Sequence, residues 1–282
     1  MKLWQQWRLG IYEKALPNHL DWTERLTEAK GAGYDFMELS IDESDARIAR
    51  LDWSQQEMEQ VLWASRQADL PIESICFSAQ RRFPLGSGLP GAEEQALQLL
   101  AKAVRLAAFM GIRIIQLQGY DCYYGEVSSA ATKERFLRNL RKGVAYAASY
   151  GVTLALETME NDFMNTIQKA MYYVEEINSP YLQVYPDIGN ISNATQYVCQ
   201  DIRTGKGHIA AAHLKETVPG KYREIPYGTG QVAFPFAIRT LYDQGVRRYV
   251  AEFWHLGEEN WKEIARENRL FLQEQFEAAM KL

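Results

Sequence analysis

Residues 150–157 read YGVTLALE: a glycine, a short run of β-branched and aliphatic side chains, then a carboxylate. The glycine suits a helix that ends in the left-handed conformation, and the run suits a strand buried on both faces. The phrase recurs as AGYDFMEL at 32–39 and MGIRIIQL at 110–117. Further glycines precede other β-rich runs, so that Gly31, Gly33, Gly111, Gly151, Gly207 and Gly245 punctuate much of the chain.

Working outward from these phrases, eight strands are predicted: Leu9–Tyr12, Phe36–Ser40, Ile72–Phe77, Ile112–Gln118, Val152–Glu157, Leu182–Asp187, His208–Leu214 and Tyr249–Phe253. Between them Trp22–Lys30, Gln55–Gln67, Ala92–Met110, Thr132–Tyr150, Thr166–Ile177 and Asn260–Ala279 carry helical apolar spacing and are rich in Ala, Leu, Glu, Arg and Gln. Strand and helix alternate without a Pro/Gly/Ser linker, which predicts an α/β chain folded as one (β/α)8 TIM barrel across residues 1–282.

Composition narrows the function. Hydrophobic residues make up 47% and charged residues 24% of the chain, enough for a large core. A net charge of −5, with bases scattered among acids, gives no stripe for a nucleic-acid backbone. Cys76, Cys122 and Cys199 form no CxxC pair, and MKLWQQWRLG lacks the apolar core of a signal peptide. No apolar run approaches the ~20 residues of a membrane span. A cytoplasmic chain without nucleic-acid or membrane partners is expected.

In barrels of this kind chemistry sits where strands end. Here strand five ends on Glu157, strand six on Asp187, strand eight on Glu252, and strand seven carries His213. Any one of these reads most simply as a helix cap, a solvated acid or a core histidine. Converging on one mouth, they would repel strongly unless a cation lay among them. Mixed carboxylate and imidazole donors suit one Zn²⁺ or Mn²⁺, with Co²⁺ or Mg²⁺ as further options, over Ca²⁺ or a thiolate-preferring ion. Residues two positions along a strand share a face, which turns Lys215 and Trp254 toward the mouth. Lys215 is a candidate oxyanion or phosphate contact against the plain alternative of a solvated loop lysine. Lys221, near Gly228 and Gly230, and Arg81 with Arg82 are further basic candidates for phosphate.

These residues resemble the isomerase and epimerase barrels related to xylose isomerase, tagatose 3-epimerase and endonuclease IV. GIYEKALP at 10–17, LDWS at 51–54, RRFPLGS at 81–87, IQLQGYDCYY at 115–124, YPDIGN at 185–190 and KETVPGKYREIPYGTGQV at 215–232 resemble the L-ribulose-5-phosphate (L-xylulose-5-phosphate) 3-epimerase subgroup of bacterial L-ascorbate and pentose use. Free-ketose epimerases carry a histidine three residues after the Asp ligand. Asn190 stands there instead, as in the phosphate-sugar subgroup. The resemblance implies a ketopentose phosphate as substrate, Glu157 and Glu252 as both ligands and proton-transfer groups at C3, Asp187 and His213 as ligands only, and a homodimer. An aldose–ketose isomerase, a free-ketose 3-epimerase and a non-catalytic binding barrel stand as alternatives. An endonuclease IV-like repair enzyme would need more histidines than His19, His208, His213 and His255.

Overall fold

The structure, a computed structural model, describes residues 7–282. Eight parallel strands form the wall: β1 (Arg8–Tyr12), β2 (Phe36–Ile41), β3 (Ile72–Phe77), β4 (Ile114–Gln118), β5 (Thr153–Glu157), β6 (Leu182–Tyr185), β7 (Ala212–Leu214) and β8 (Arg248–Ala251). Their order, β6-β5-β4-β3-β2-β1-β8-β7, is that of a barrel, with β1 closing on β8 through four paired residues. Helices on the outside are α1 (Trp22–Gly31), α2 (Asp45–Ile48), α3 (Gln55–Gln67), α4 (Ala92–Met110), α5 (Ala130–Ser149), α6 (Ile167–Ile177), α7 (Ile188–Ala194), α8 (Val198–Thr204), α9 (Phe234–Asp243) and α10 (Trp261–Ala279).

Local chemistry sets the boundaries. Asp21, Ser54 and Ser129 cap α1, α3 and α5, each side chain accepting from the backbone three residues on, and each in a reciprocal capping box. Gly111 ends α4 at φ 75°, a conformation costly for other residues.

Most of the apolar core lies between strands and helices, where Leu154, Leu156, Ile115, Leu117 and Ile75 turn outward onto the helix ring. Alternate residues point into the barrel. There two small apolar groups, Tyr12, Phe36, Cys76 and Val250 in one and Ala155, Tyr185 and Ala211 in the other, enclose a polar interior.

The expected barrel is present, with adjustments at β6, β8, β7 and α9. β6 stops at Tyr185, so Asp187 lies past the strand; β8 stops at Ala251, one residue before Glu252. β7 is only Ala212–Leu214 instead of 208–214, and β6 meets that segment through the isolated pairings Val184↔Ile209 and Asp187↔His213. Helix α9 fills a stretch with no predicted element; Pro235 in its first turn, where a missing N–H costs nothing, marks its start.

Candidate metal centre

Each of the four predicted ligands reaches the mouth by a different local device. Glu157 is the last residue of β5, held in register between Gln118 and Tyr185. Asp187 is the N-cap of α7, so the plain cap reading is also correct. Its Oδ1 accepts from the amides of Gly189 at 2.8 Å and Asn190 at 3.2 Å, which leaves Oδ2 turned inward. Helix α7 can sit this close only because residue 189 is glycine: a Cβ there would lie 2.7 Å from the Lys215 carbonyl. His213 is central in β7, and Glu252 follows β8 with its amide bonded to the Leu214 carbonyl at 3.0 Å.

All four side chains are buried, and one donor atom from each falls within 4.8 Å of the others. His213 Nδ1 faces Glu157 Oε1 at 2.8 Å and Glu252 Oε2 at 3.1 Å. Buried Asp187 Oδ2 and Glu252 Oε2 have no aligned hydrogen-bond donor, and only ion-pair contacts with Lys215 and His213 reach them. Carboxylate oxygens desolvated in this way are costly without a cation, and three carboxylates with one imidazole are a suitable donor set for a divalent ion. The residues present therefore fit a metal.

The charges press on one another as that crowding requires. Burial pushes the Asp187 carboxyl up to about 7, against the pull of Lys215, and it raises Glu157 despite the nearby imidazole. Glu252 goes the other way: burial raises it, but Lys215 and His213 together hold it below the usual carboxylate range. Burial disfavours the His213 cation, yet Glu252, Glu38 and Glu157 keep the imidazole's pKa well above its ordinary value.

The remaining candidates separate. Lys215 is 4% exposed, its Nζ against Asp187 Oδ2 and 3.6 Å from Glu252, so it is a buried ammonium and not a solvated lysine. Trp254 lines the mouth and meets the Tyr12 ring edge-on. Arg81 lies in the same cavity, its guanidinium packed over Tyr120 and Tyr123 with a buried, unpartnered Nε. Arg82 points away and pairs with Asp45, Lys221 stands on an exposed turn, and Asn190 is buried with its amide on the Thr158 carbonyl.

Sequence reasoning missed Arg223, which lines the cavity and pairs with Glu160 at 3.0 Å, and Gln116, whose amide donates to Glu157 Oε2. It also missed Glu216, which collects the amides of Thr217, Gly228 and Val232 and so shapes the loop that carries Arg223. Beneath the ligands it missed Glu38. For Glu38 and Gln116 a signal existed: each is a polar residue inside an apolar strand, at an inward position.

The chain matches the family of xylose isomerase-like TIM barrels over residues 26–275. L-ribulose-5-phosphate 3-epimerase UlaE of Salmonella paratyphi A is 44% identical over 253 residues, 89% of either chain. Among solved structures, D-allulose 3-epimerase from Methylomonas sp., in complex with D-allulose, aligns with TM-score 0.78 at 16% identity, covering 96% of this chain and 97% of that one. A structure of L-ribulose 3-epimerase aligns with TM-score 0.77 at 19% identity, covering 97% and 96%. At those identities the two structures share the fold.

Proposed function

Because this chain belongs to the xylose isomerase-like TIM-barrel family, we propose that its mouth is the active site of a metal-dependent 3-epimerase acting on a ketopentose phosphate, the L-xylulose 5-phosphate and L-ribulose 5-phosphate pair. The observation that carries this reading is that Glu157 and Glu252, two of the four converging residues, line one cavity together with the cations Lys215, Arg81 and Arg223. The 44% identity to UlaE supports the reaction and the phosphate sugar. The reading includes one Zn²⁺ or Mn²⁺ per chain, a cytoplasmic setting among steps of L-ascorbate or pentose breakdown, and a homodimer.

Glu157, Asp187, His213 and Glu252 would hold the ion, which when bound supplies Lewis-acid polarisation of the ketose carbonyl. The chain's own residues do the rest. Glu157 stands at the end of β5 and Glu252 after β8, and on this reading one would remove the C3 proton and the other return a proton to the opposite face. Gln116 steadies Glu157 by donating to Oε2, and Lys215 steadies Glu252 as a fixed positive charge. That ammonium also stabilises the negative oxygen that develops as C3 loses its proton. Arg81 and Arg223 meet the phosphate as planar donors, with Glu160 orienting Arg223.

Proton NMR of metal-loaded protein in D2O tests the proposal, with L-xylulose 5-phosphate and free L-xylulose side by side. Deuterium should enter at C3 as the epimer forms, and the phosphate ester should be preferred in kcat/KM by about 10²-fold or more, since remote binding energy is spent at the reacting carbon. Equal rates on the two sugars would remove the phosphate contacts, and product without C3 exchange would replace the epimerase with a hydride-shift isomerase.

A further inference from the structure

Glu38 lies one layer below the ligands, fully buried inside the barrel on β2. Its Oε1 is 2.6 Å from His213 Nε2, the ring nitrogen that faces away from Glu157 and Glu252. Its Oε2 accepts from the Ser74 hydroxyl at 2.7 Å and the Tyr185 hydroxyl at 2.8 Å. Residues from β2, β3, β6 and β7 thus close one hydrogen-bonded layer across the barrel, and the Tyr185 ring packs edge-on against the imidazole at 4.8 Å.

We propose that Glu38 is the positioning residue that fixes His213 as an Nε2–H tautomer and so presents Nδ1 to the metal. This rests on the metal-dependent reading above. A carboxylate that already accepts two hydroxyl protons can only accept a third, so Nε2 carries hydrogen. Nδ1, the nitrogen beside Glu157 and Glu252, is then the one that gives up its proton and offers a lone pair when an ion binds. Turning the ring over would set carbon atoms against the Glu38 carboxylate and leave buried Oε1 without its donor, so one orientation is held before any ion arrives. The negative charge of Glu38 also raises the donor strength of the ring it supports.

Two measurements on the full chain test this. Two-dimensional 15N NMR of the zinc-loaded wild type, with only four histidines to resolve, should show His213 protonated at Nε2 and shifted by zinc at Nδ1. Zinc affinity, measured by competition with a chromogenic chelator, should fall about 10- to 100-fold in Glu38→Gln, which keeps the shape and removes the charge. If circular dichroism finds that variant unfolded, Tyr185→Phe, which removes one donor to Glu38, should weaken zinc by a few-fold and the NMR result decides alone. Zinc on Nε2 in the wild type, or unchanged affinity in folded Glu38→Gln, overturns the inference while the metal reading stands. A wild type that binds neither zinc nor manganese overturns both.

Discussion

The wall from β2 to β5 and the joint between β6 and β7 are built differently. β4 and β5 pair over five consecutive residues, Ile114↔Thr153 to Gln118↔Glu157. Across the joint only Val184↔Ile209 and Asp187↔His213 pair, through Val184 N to His208 O at 2.7 Å, Ala210 N to Val184 O at 3.0 Å and His213 N to Pro186 O at 2.9 Å. Pro186 has no N–H to give, so the ladder is interrupted just below the mouth. The joint also divides the ligands, Glu157 and Asp187 on one edge, His213 and Glu252 on the other. Where backbone pairing thins, side chains cross the gap, and an ion held as proposed above would make the site a structural tie as well as a chemical one.

The largest effect should come from the wall. Leu154→Ala, at a fully buried position of β5, should cost about 2–5 kcal/mol in urea unfolding, equally with and without metal. A loss that changed with metal would end the separation of wall from joint.

Next comes a charge cluster far from the joint. Glu13, fully buried after β1, is pushed up by its burial, but Arg50, Arg47 and Arg25 outweigh this and lower it from 4.5 to about 2. A carboxylate depressed on folding stabilises the native state above its unfolded pKa, and that contribution is lost as pH falls from about 4.5 through about 2. It amounts to about 3 kcal/mol at neutral pH. Urea midpoints followed downward in pH should show the loss in the wild type and less of it in Glu13→Gln; equal slopes would leave Glu13 with no such role.

A similar energy, read as rate, separates the two edges of the joint. Glu157→Gln and Glu252→Gln keep an oxygen donor but cannot accept a proton, so each should lower kcat for epimerisation by at least about 10²-fold with metal still bound. Near-normal turnover in either would reduce that residue to a replaceable ligand.

The smallest effect is the most direct view of the joint. Removing metal with a chelator should speed hydrogen exchange at Ala210 and His213 by about 10-fold, about 1.4 kcal/mol of local opening, while amides of β4 and β5 stay unchanged. Uniform acceleration would mean that the ion stabilises the whole barrel.

Much of this was legible because strand and helix each leave a local mark. Gly-led runs such as YGVTLALE announce strands, and Asp21, Ser54 and Ser129 announce the helices after them. The convergence of Glu157, Asp187, His213 and Glu252 was legible for the same reason: three carboxylates and a histidine stand at or just past strand ends in chain order. The roles of Glu38, Gln116 and Arg223 were not, because their partners are 175, 41 and 63 residues distant: a polar residue inside an apolar strand marks Glu38 and Gln116 as inward-facing but does not name what they meet. The short β7 was missed because the segment 208–214 has the composition of a longer strand, and Pro186, on its neighbour, is what denies it a ladder.

The two-and-two division of ligands gives the ion's residence time a meaning. An ion held by both edges, as proposed, would keep only half its donors once the edges parted. Opening would then favour departure, so the rate at which an isotopically labelled ion exchanges with solution, compared with hydrogen exchange at Ala210 and His213, would tell whether the two are one event.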